Sequence, residues 1–158
     1  MARRSESPIW FEEKALTLVL KISPDAALTL AWLVALVGSL SVLFIGEILG
    51  QTPCNLCWFQ RAFMFPLAII LGLGLWWRDR RIGRYAMALA IGGGLLALWH
   101  LALYAGVIPE DIKPCSATGP SCTDDNQVIL GLPIPLLALG AFASIALLSA
   151  LSLKENAE

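Results

Sequence analysis

Residues 26–49 read AALTLAWLVALVGSLSVLFIGEIL, an almost unbroken apolar stretch that contains one charged residue, Glu47, near its end. A helix needs about 20 apolar residues to cross a bilayer, so this stretch is long enough to span a membrane. Three further apolar runs follow, at about 58–77, 85–107 and 128–153. The sequence therefore predicts an all-α, integral membrane four-helix bundle that forms a single domain over residues 26–153.

The composition supports a membrane protein and leaves little chain for anything else. The 158 residues are 58% apolar and 15% charged, with a mean hydropathy of +0.73, whereas soluble domains are about 45–50% apolar and about 25% charged. Residues 1–25 and the tail at 154–158 remain outside the spans, and part of the first segment, residues 8–22, has the pattern of an amphipathic helix at the membrane surface. No basic patch indicates nucleic-acid binding, and the formal charge of −1 indicates no particular partner.

The basic residues predict how the bundle is oriented. Nine of the eleven lie before the first predicted span, between spans two and three, or after span four, whereas Arg61 and Lys113 lie at the opposite ends of the spans. Because positive residues are retained on the cytoplasmic side, both termini are expected in the cytoplasm. All four cysteines then face outward from the cytoplasmic membrane, into a compartment where disulfides persist.

The first cysteine pair, Cys54 and Cys57, forms a Cys-x-x-Cys motif where a polar turn leads into an apolar helix. Backbone N–H groups and the helix dipole stabilise a thiolate at such a position. Arg61 follows Cys57 by one helical turn, about 6 Å along the same face, so we expect it to face the Cys57 thiolate or a polar group on a bound cofactor. The alternative is that Arg61 reaches the lipid headgroups and the cysteines form a static crosslink.

The second pair, Cys115 and Cys122, lies in a polar loop rich in glycine and proline. A disulfide there closes a short ring and stabilises the fold by only about 2.5 kcal/mol, so a purely structural role is modest. An exposed disulfide in a loop suits attack by an incoming thiolate, and the two pairs together suggest a relay of disulfide exchanges. A zinc site made of both pairs is disfavoured by their wide separation in sequence and by an oxidising compartment, and we predict no metal.

Several residues have two interpretations each. His100 is the only histidine and lies within span three, where a polar residue indicates either a cofactor contact and proton path or a hydrogen-bonded structural role. Glu47 is interpreted as a partner of Arg61, a proton acceptor, or a solvated carboxylate at the interface. An aromatic group after the Cys-x-x-Cys forms either the wall of a site for a lipid-soluble acceptor or an interfacial anchor: Trp58, Phe59, Phe63 and Phe65.

One sequence block resembles the signature of a known family. Leu-Cys-Trp-Phe-Gln-Arg at residues 56–61, followed by Met-Phe-Pro-Leu at 64–67, is similar to the motif of the disulfide bond formation protein B (DsbB) family. The short branch called disulfide formation protein C, or BdbC-like, is the most similar. The resemblance extends over about residues 28–150, with further similar blocks at 46–49, 99–100 and 131–135.

The resemblance implies a function and a role for each cysteine. A reduced thioredoxin-like oxidase of the DsbA type would attack the Cys115–Cys122 disulfide and form a mixed disulfide at Cys115. Cys122 would then exchange with Cys54, and Cys57 would donate electrons to a membrane quinone, either ubiquinone or menaquinone. Arg61 would hold the quinone oxygen, and His100 lies on the helix expected to contact the quinone. The second loop is shorter than in longer family members.

Three alternatives remain at this stage. A quinone reductase of the vitamin K epoxide reductase type also has four spans and two cysteine pairs, but its loop pair precedes its Cys-x-x-Cys, and this chain has the opposite order. A non-catalytic membrane scaffold with two structural disulfides is the second alternative. The third is a transporter that passes electrons outward to keep its partners reduced.

Overall fold

A computed structural model describes residues 22–108, 128–129 and 131–153. In these residues the long helices are α1 (Pro24–Leu43), α2 (Asn55–Trp77), α3 (Ile82–Tyr104) and α4 (Ile134–Leu153). A π-helical turn (Phe44–Ile48) extends α1, and a short antiparallel pair, β1 (Val128–Ile129) with β2 (Leu132–Pro133), precedes α4. All four helices are long and apolar enough to cross a membrane, which confirms the predicted four-helix membrane bundle.

The helices pack in a ring in the order of the chain. The main contacts join α1 to α2, α2 to α3, α3 to α4 and α4 back to α1. The link between α2 and α3 has only four residues, which places these two helices side by side. Large apolar side chains such as Leu33, Val37, Ile69 and Leu95 are exposed on the outside of the ring, as expected where lipid replaces water.

Small residues allow the helices to approach closely. Ala27, Ala31 and Ala35 are fully buried at four-residue spacing along one face of α1. On α3, Gly93 lies directly against the ring of Phe142 on α4, where a Cβ atom would clash with that ring. Small residues at helix contacts are the usual way to bring membrane helices together, and Gly93 has this role between α3 and α4.

The helix starts follow local sequence signals. Ser23 caps α1, its hydroxyl accepting a hydrogen bond from the Ala26 N–H at 3.3 Å, with Pro24 in the first turn. Helix α4 begins at Ile134, later than the predicted start of the fourth span at 128. The reason is local: Gly131 has a φ of 82°, which turns the chain back so that Val128 pairs with Pro133. The proposed surface helix at 8–22 lies almost wholly outside the described residues, and so does the tail.

The two ends of the bundle differ in chemistry. At one end, Arg80 donates two hydrogen bonds to the carboxylate of Asp25, at 2.9 and 3.0 Å, and so joins the α2–α3 link to the start of α1. The start of α2, the end of α3 and the π-helical turn lie at the other end. There Cys54 packs in a small buried cluster with Leu56 and Leu103. This end carries the candidate site.

Candidate functional site

The Cys-x-x-Cys pair occupies the start of α2, as the sequence predicts. Cys54 is the N-cap residue, and its sulfur accepts a hydrogen bond from the backbone N–H of Cys57 at 3.4 Å. The two sulfur atoms lie 2.9 Å apart with both cysteines in the thiol form. Cys54 is 1% exposed, whereas Cys57 is only partly buried. The pair is therefore close enough to form or break a disulfide, with Cys57 the more accessible member.

The surroundings of Cys54 favour its thiolate. The hydrogen bond from the Cys57 thiol lowers the pKa of Cys54 to about 4, and the side chain of His100 and the Cys57 backbone N–H act in the same direction. Burial opposes this shift because it disfavours a charge. When the pair is reduced, these contacts therefore favour the thiolate at Cys54. The expectation that Cys57 is the thiolate that donates electrons to an acceptor stays a prediction.

His100 lies behind the cysteine pair and is fully buried. Its Nε2 atom is 3.9 Å from the Cys54 sulfur, and its Nδ1 atom is 3.1 Å from the side-chain nitrogen of Gln60. An amide nitrogen can only donate, so Nδ1 accepts and the ring proton is on Nε2, facing the sulfur. A chain of buried polar contacts, from Gln60 to His100 and from His100 to Cys54, therefore connects α3 with α2.

Arg61 lies one turn beyond Cys57 and is 9% exposed. Its guanidinium donates a hydrogen bond to the backbone carbonyl of Val42 at 3.1 Å and lies over the Trp58 ring, 5.2 Å from the ring centre. Gly46, in the π-helical turn, leaves room for this group, because a Cβ atom there would lie 3.3 Å from an Arg61 nitrogen. The cation is thus contacted by one carbonyl and one aromatic face, and π-helical turns of this kind often occur at functional sites.

Other predicted site residues have different positions. Glu47 is exposed on the π-helical turn, and the contacts of Arg61 within the described part of the chain do not include it. Trp58 and Phe59 are more than half exposed on the outside of the bundle. Phe63 instead packs against Gly92 of α3. Cys115 and Cys122 lie outside the described residues, so their role stays a prediction.

Two of these contacts, those of Gln60 and of the Val42 carbonyl, were not predicted from the sequence. Gln60 lies in the Leu-Cys-Trp-Phe-Gln-Arg block at residues 56–61. A polar residue inside a spanning helix often has a functional contact, so its position in the sequence could have indicated one. The Val42 carbonyl carried no such signal, because it is a backbone atom whose position depends on how α1 packs against α2.

Comparison with known proteins identifies the family. The family model of the disulfide bond formation protein DsbB matches residues 24–152, which include all four helices and all four cysteines. The chain belongs to the DsbB family. It is therefore a DsbB-like disulfide formation protein with several membrane spans, and the family indicates thiol–disulfide oxidoreductase activity.

Individual DsbB-family relatives agree with this assignment. The chain is 55% identical over 122 residues to a probable disulfide formation protein of Metapseudomonas resinovorans, an alignment that covers 77% of this chain and 85% of the relative. It is 36% identical over 129 residues to disulfide bond formation protein C of Bacillus subtilis (strain 168), covering 81% and 93%. The second match supports the predicted similarity to the BdbC-like branch. No solved structure matches the chain.

Proposed function

We propose that this protein reoxidises a thioredoxin-like, DsbA-type oxidase and passes the electrons to a membrane quinone, ubiquinone or menaquinone. The observation that carries the proposal is the position of the Cys54–Cys57 pair. It begins a membrane-spanning helix, with one sulfur buried against His100 and the other partly accessible beside Arg61. A dithiol in that position can exchange with a protein disulfide and can also meet an acceptor dissolved in the bilayer.

The residues around Cys57 fit a quinone. A quinone has an apolar ring that stacks on aromatic side chains and two oxygen atoms that accept hydrogen bonds. Trp58 and Phe59 are exposed toward the lipid, and Arg61 offers donors beside them. Cys57 and Arg61 would therefore hold the quinone, which, when bound, accepts two electrons and two protons. His100 lies deeper, beside Cys54, and its predicted contact with the quinone is part of this proposal.

The electron path follows from disulfide exchange. A thiolate of the reduced partner attacks the Cys115–Cys122 disulfide, which forms a mixed disulfide at Cys115 and frees Cys122. The second partner thiolate then releases the oxidised partner and leaves Cys115 and Cys122 reduced. Cys122 attacks the oxidised Cys54–Cys57 pair at Cys54, Cys115 resolves the new bond, and the Cys54–Cys57 pair becomes the dithiol. Cys57 then donates the two electrons onward, and the Cys54–Cys57 disulfide forms again.

The orientation in the membrane is also part of the proposal. Arg78, Arg80, Arg81 and Arg84 surround the α2–α3 link, at the opposite end of α2 from Cys54. A cytoplasmic position for this link follows from the positive-inside rule, and it leaves the Cys54–Cys57 pair on the periplasmic or extracellular side of the cell membrane. Both termini would then lie in the cytoplasm.

The proposal is tested by measuring quinone reduction by the purified protein with a reduced thioredoxin-like donor. Cys57→Ser should abolish quinone reduction because it removes the electron-donating sulfur. Arg61→Leu should raise the KM for quinone by about tenfold or more, since a hydrogen bond from a charged group contributes about 1.5–3 kcal/mol.

Arg84→Leu is the matched control, because it removes an exposed guanidinium at the opposite end of the bundle, and it should leave the KM unchanged. Normal quinone turnover by Cys57→Ser protein would reject the proposal. A non-catalytic scaffold would show no turnover in any variant, and its cysteines would stay fully oxidised in cells.

A further inference from the structure

Three potential metal ligands converge at the site. The sulfurs of Cys54 and Cys57 and a ring nitrogen of His100 all lie within 4.8 Å of one another. Cys54 and His100 are almost completely buried, so this cluster is held by the packing of α2 against α3. Two thiolates and one imidazole form a ligand set that zinc accepts, with the fourth position left to water.

The spacing of these atoms is close to that of a zinc site. Tetrahedral bonds of about 2.3 Å to sulfur and about 2.0–2.1 Å to nitrogen place neighbouring ligand atoms about 3.5–3.8 Å apart. The Cys54 sulfur and His100 Nε2 are already 3.9 Å apart. The two sulfurs, at 2.9 Å, must separate by a little under 1 Å. Cys57, whose side chain is only partly buried, is the member with more room for that movement.

The charge balance favours a divalent cation. Zinc bound to two thiolates and a neutral imidazole forms a group with no net charge, which a buried, low-dielectric position tolerates better than an isolated thiolate. Binding forms two Zn–S bonds and one Zn–N bond, and it releases to solvent each proton that the two sulfurs still carry, which is one proton where Cys54 is already a thiolate. No electron is transferred, so the step needs neither an oxidant nor a reductant.

Gln60 can hydrogen-bond the ring nitrogen of His100 that does not bind zinc, a contact that zinc-bound histidines almost always have. With Nε2 bound to metal, the ring proton must be on Nδ1 and requires an acceptor. The Gln60 side-chain nitrogen lies 3.1 Å from Nδ1, and a half-turn of the amide places its oxygen there instead. The same side chain can therefore support the metal-free and the metal-bound tautomers of His100.

We propose that the reduced chain binds one Zn²⁺ ion through Cys54, Cys57 and His100. The bound ion occupies both sulfurs, so the pair cannot close its disulfide or give up its electrons until the metal leaves. Zinc thereby acts as a reversible inhibitor of the reduced form, and the oxidised form, which has no thiolates to offer, does not bind it. The site uses the same cysteine pair as the proposed function, but its existence does not depend on a quinone or a partner protein.

The test uses metal binding alone, in the full chain carrying Cys115→Ser and Cys122→Ser so that the second pair cannot contribute. The protein is reduced with a phosphine under anaerobic conditions and titrated with Zn²⁺ against a chromophoric chelator. One Zn²⁺ per chain is expected, and none after the pair is oxidised. Co²⁺ should give a sulfur-to-metal charge-transfer band with the intensity of two thiolates, and Zn²⁺ should remove it.

Variants then identify the ligands. Cys57→Ser should abolish stoichiometric binding, and His100→Ala should weaken it, with circular dichroism checking that the helices remain. Gln60→Glu should tighten binding and Gln60→Leu should loosen it, each by about tenfold, because outer contacts to a ligand histidine change metal affinity by about 10–100-fold. Equal affinities in the two Gln60 variants, a one-thiolate cobalt spectrum, or binding to the oxidised protein would each overturn the zinc site. None of these measurements uses a quinone, so failure of the zinc site and failure of the proposed function are distinguishable.

Discussion

Gln60 is the side chain that fixes the orientation of His100. Its amide nitrogen donates to Nδ1 of the ring, which leaves the Nε2 proton directed at Cys54. Gln60→Leu should destabilise the protein by roughly 0.6–1.7 kcal/mol, from the average to the largest contribution measured for polar contacts between membrane helices. It should also slow quinone reduction, because the ring can then turn away from the sulfur. Chemical unfolding in detergent and turnover with a reduced donor measure the two effects.

Gln60→Glu is the matched comparison for this prediction. A carboxylate draws the ring proton to Nδ1 and leaves a lone pair facing Cys54, so it should preserve stability better than leucine and still slow turnover. Wild-type turnover in both variants would show that the orientation of His100 is unimportant.

The ionisation of Cys54 should be visible in a pH titration. In reduced protein carrying Cys115→Ser and Cys122→Ser, the thiolate absorbance should persist down to pH about 4, because the pKa of Cys54 is lowered to that value. Since this pKa is below that of a free cysteine, about 8.5, the thiolate stabilises the reduced fold most above about pH 8.5, and this contribution declines as the pH falls and is gone below about 4.

The cause of this shift can be tested in the same way. Cys57→Ala removes the main hydrogen-bond donor to Cys54 and should move the titration to higher pH. A midpoint near pH 8 in the parent protein, or one that Cys57→Ala does not change, would contradict the assignment.

Among the contacts between helices, that of α3 with α4 depends on Gly93, which has no side chain and so leaves room for Phe142. Gly93→Ala places a methyl group against the Phe142 ring and should cost roughly 1–3 kcal/mol of stability, the usual range for overpacking. Gly140→Ala is the control: a Cβ atom there meets nothing within 4 Å, so the change should be neutral or slightly stabilising. Thermal unfolding in detergent compares the two, and equal melting temperatures would show that this contact is not tightly packed.

At the scale of the whole molecule, the predicted orientation can be tested with reporter fusions. A fluorescent protein fused after the last residue should fluoresce, and alkaline phosphatase in the same place should be inactive, because the arginine-rich link predicts a cytoplasmic C-terminus. The reverse pattern would invert the bundle and would direct the Cys54–Cys57 pair into the cytoplasm.

The sequence predicted the architecture well because membrane helices are recognisable from apolar length alone. The Cys-x-x-Cys at a helix start and the position of Arg61 one turn later also followed from local spacing. The contacts between helices did not. That Gln60 touches His100, and that Arg61 donates to the Val42 carbonyl, depends on how each helix is rotated about its axis. Nearly uniform apolar helices give little indication of that rotation.

The near-complete burial of Cys54 has a consequence for selectivity among reductants. A free thiol such as glutathione cannot readily approach a sulfur that is 1% exposed. We therefore expect the Cys54 sulfur to exchange only with a thiol that a protein segment carries to it, whereas small reductants are limited to attack at Cys57.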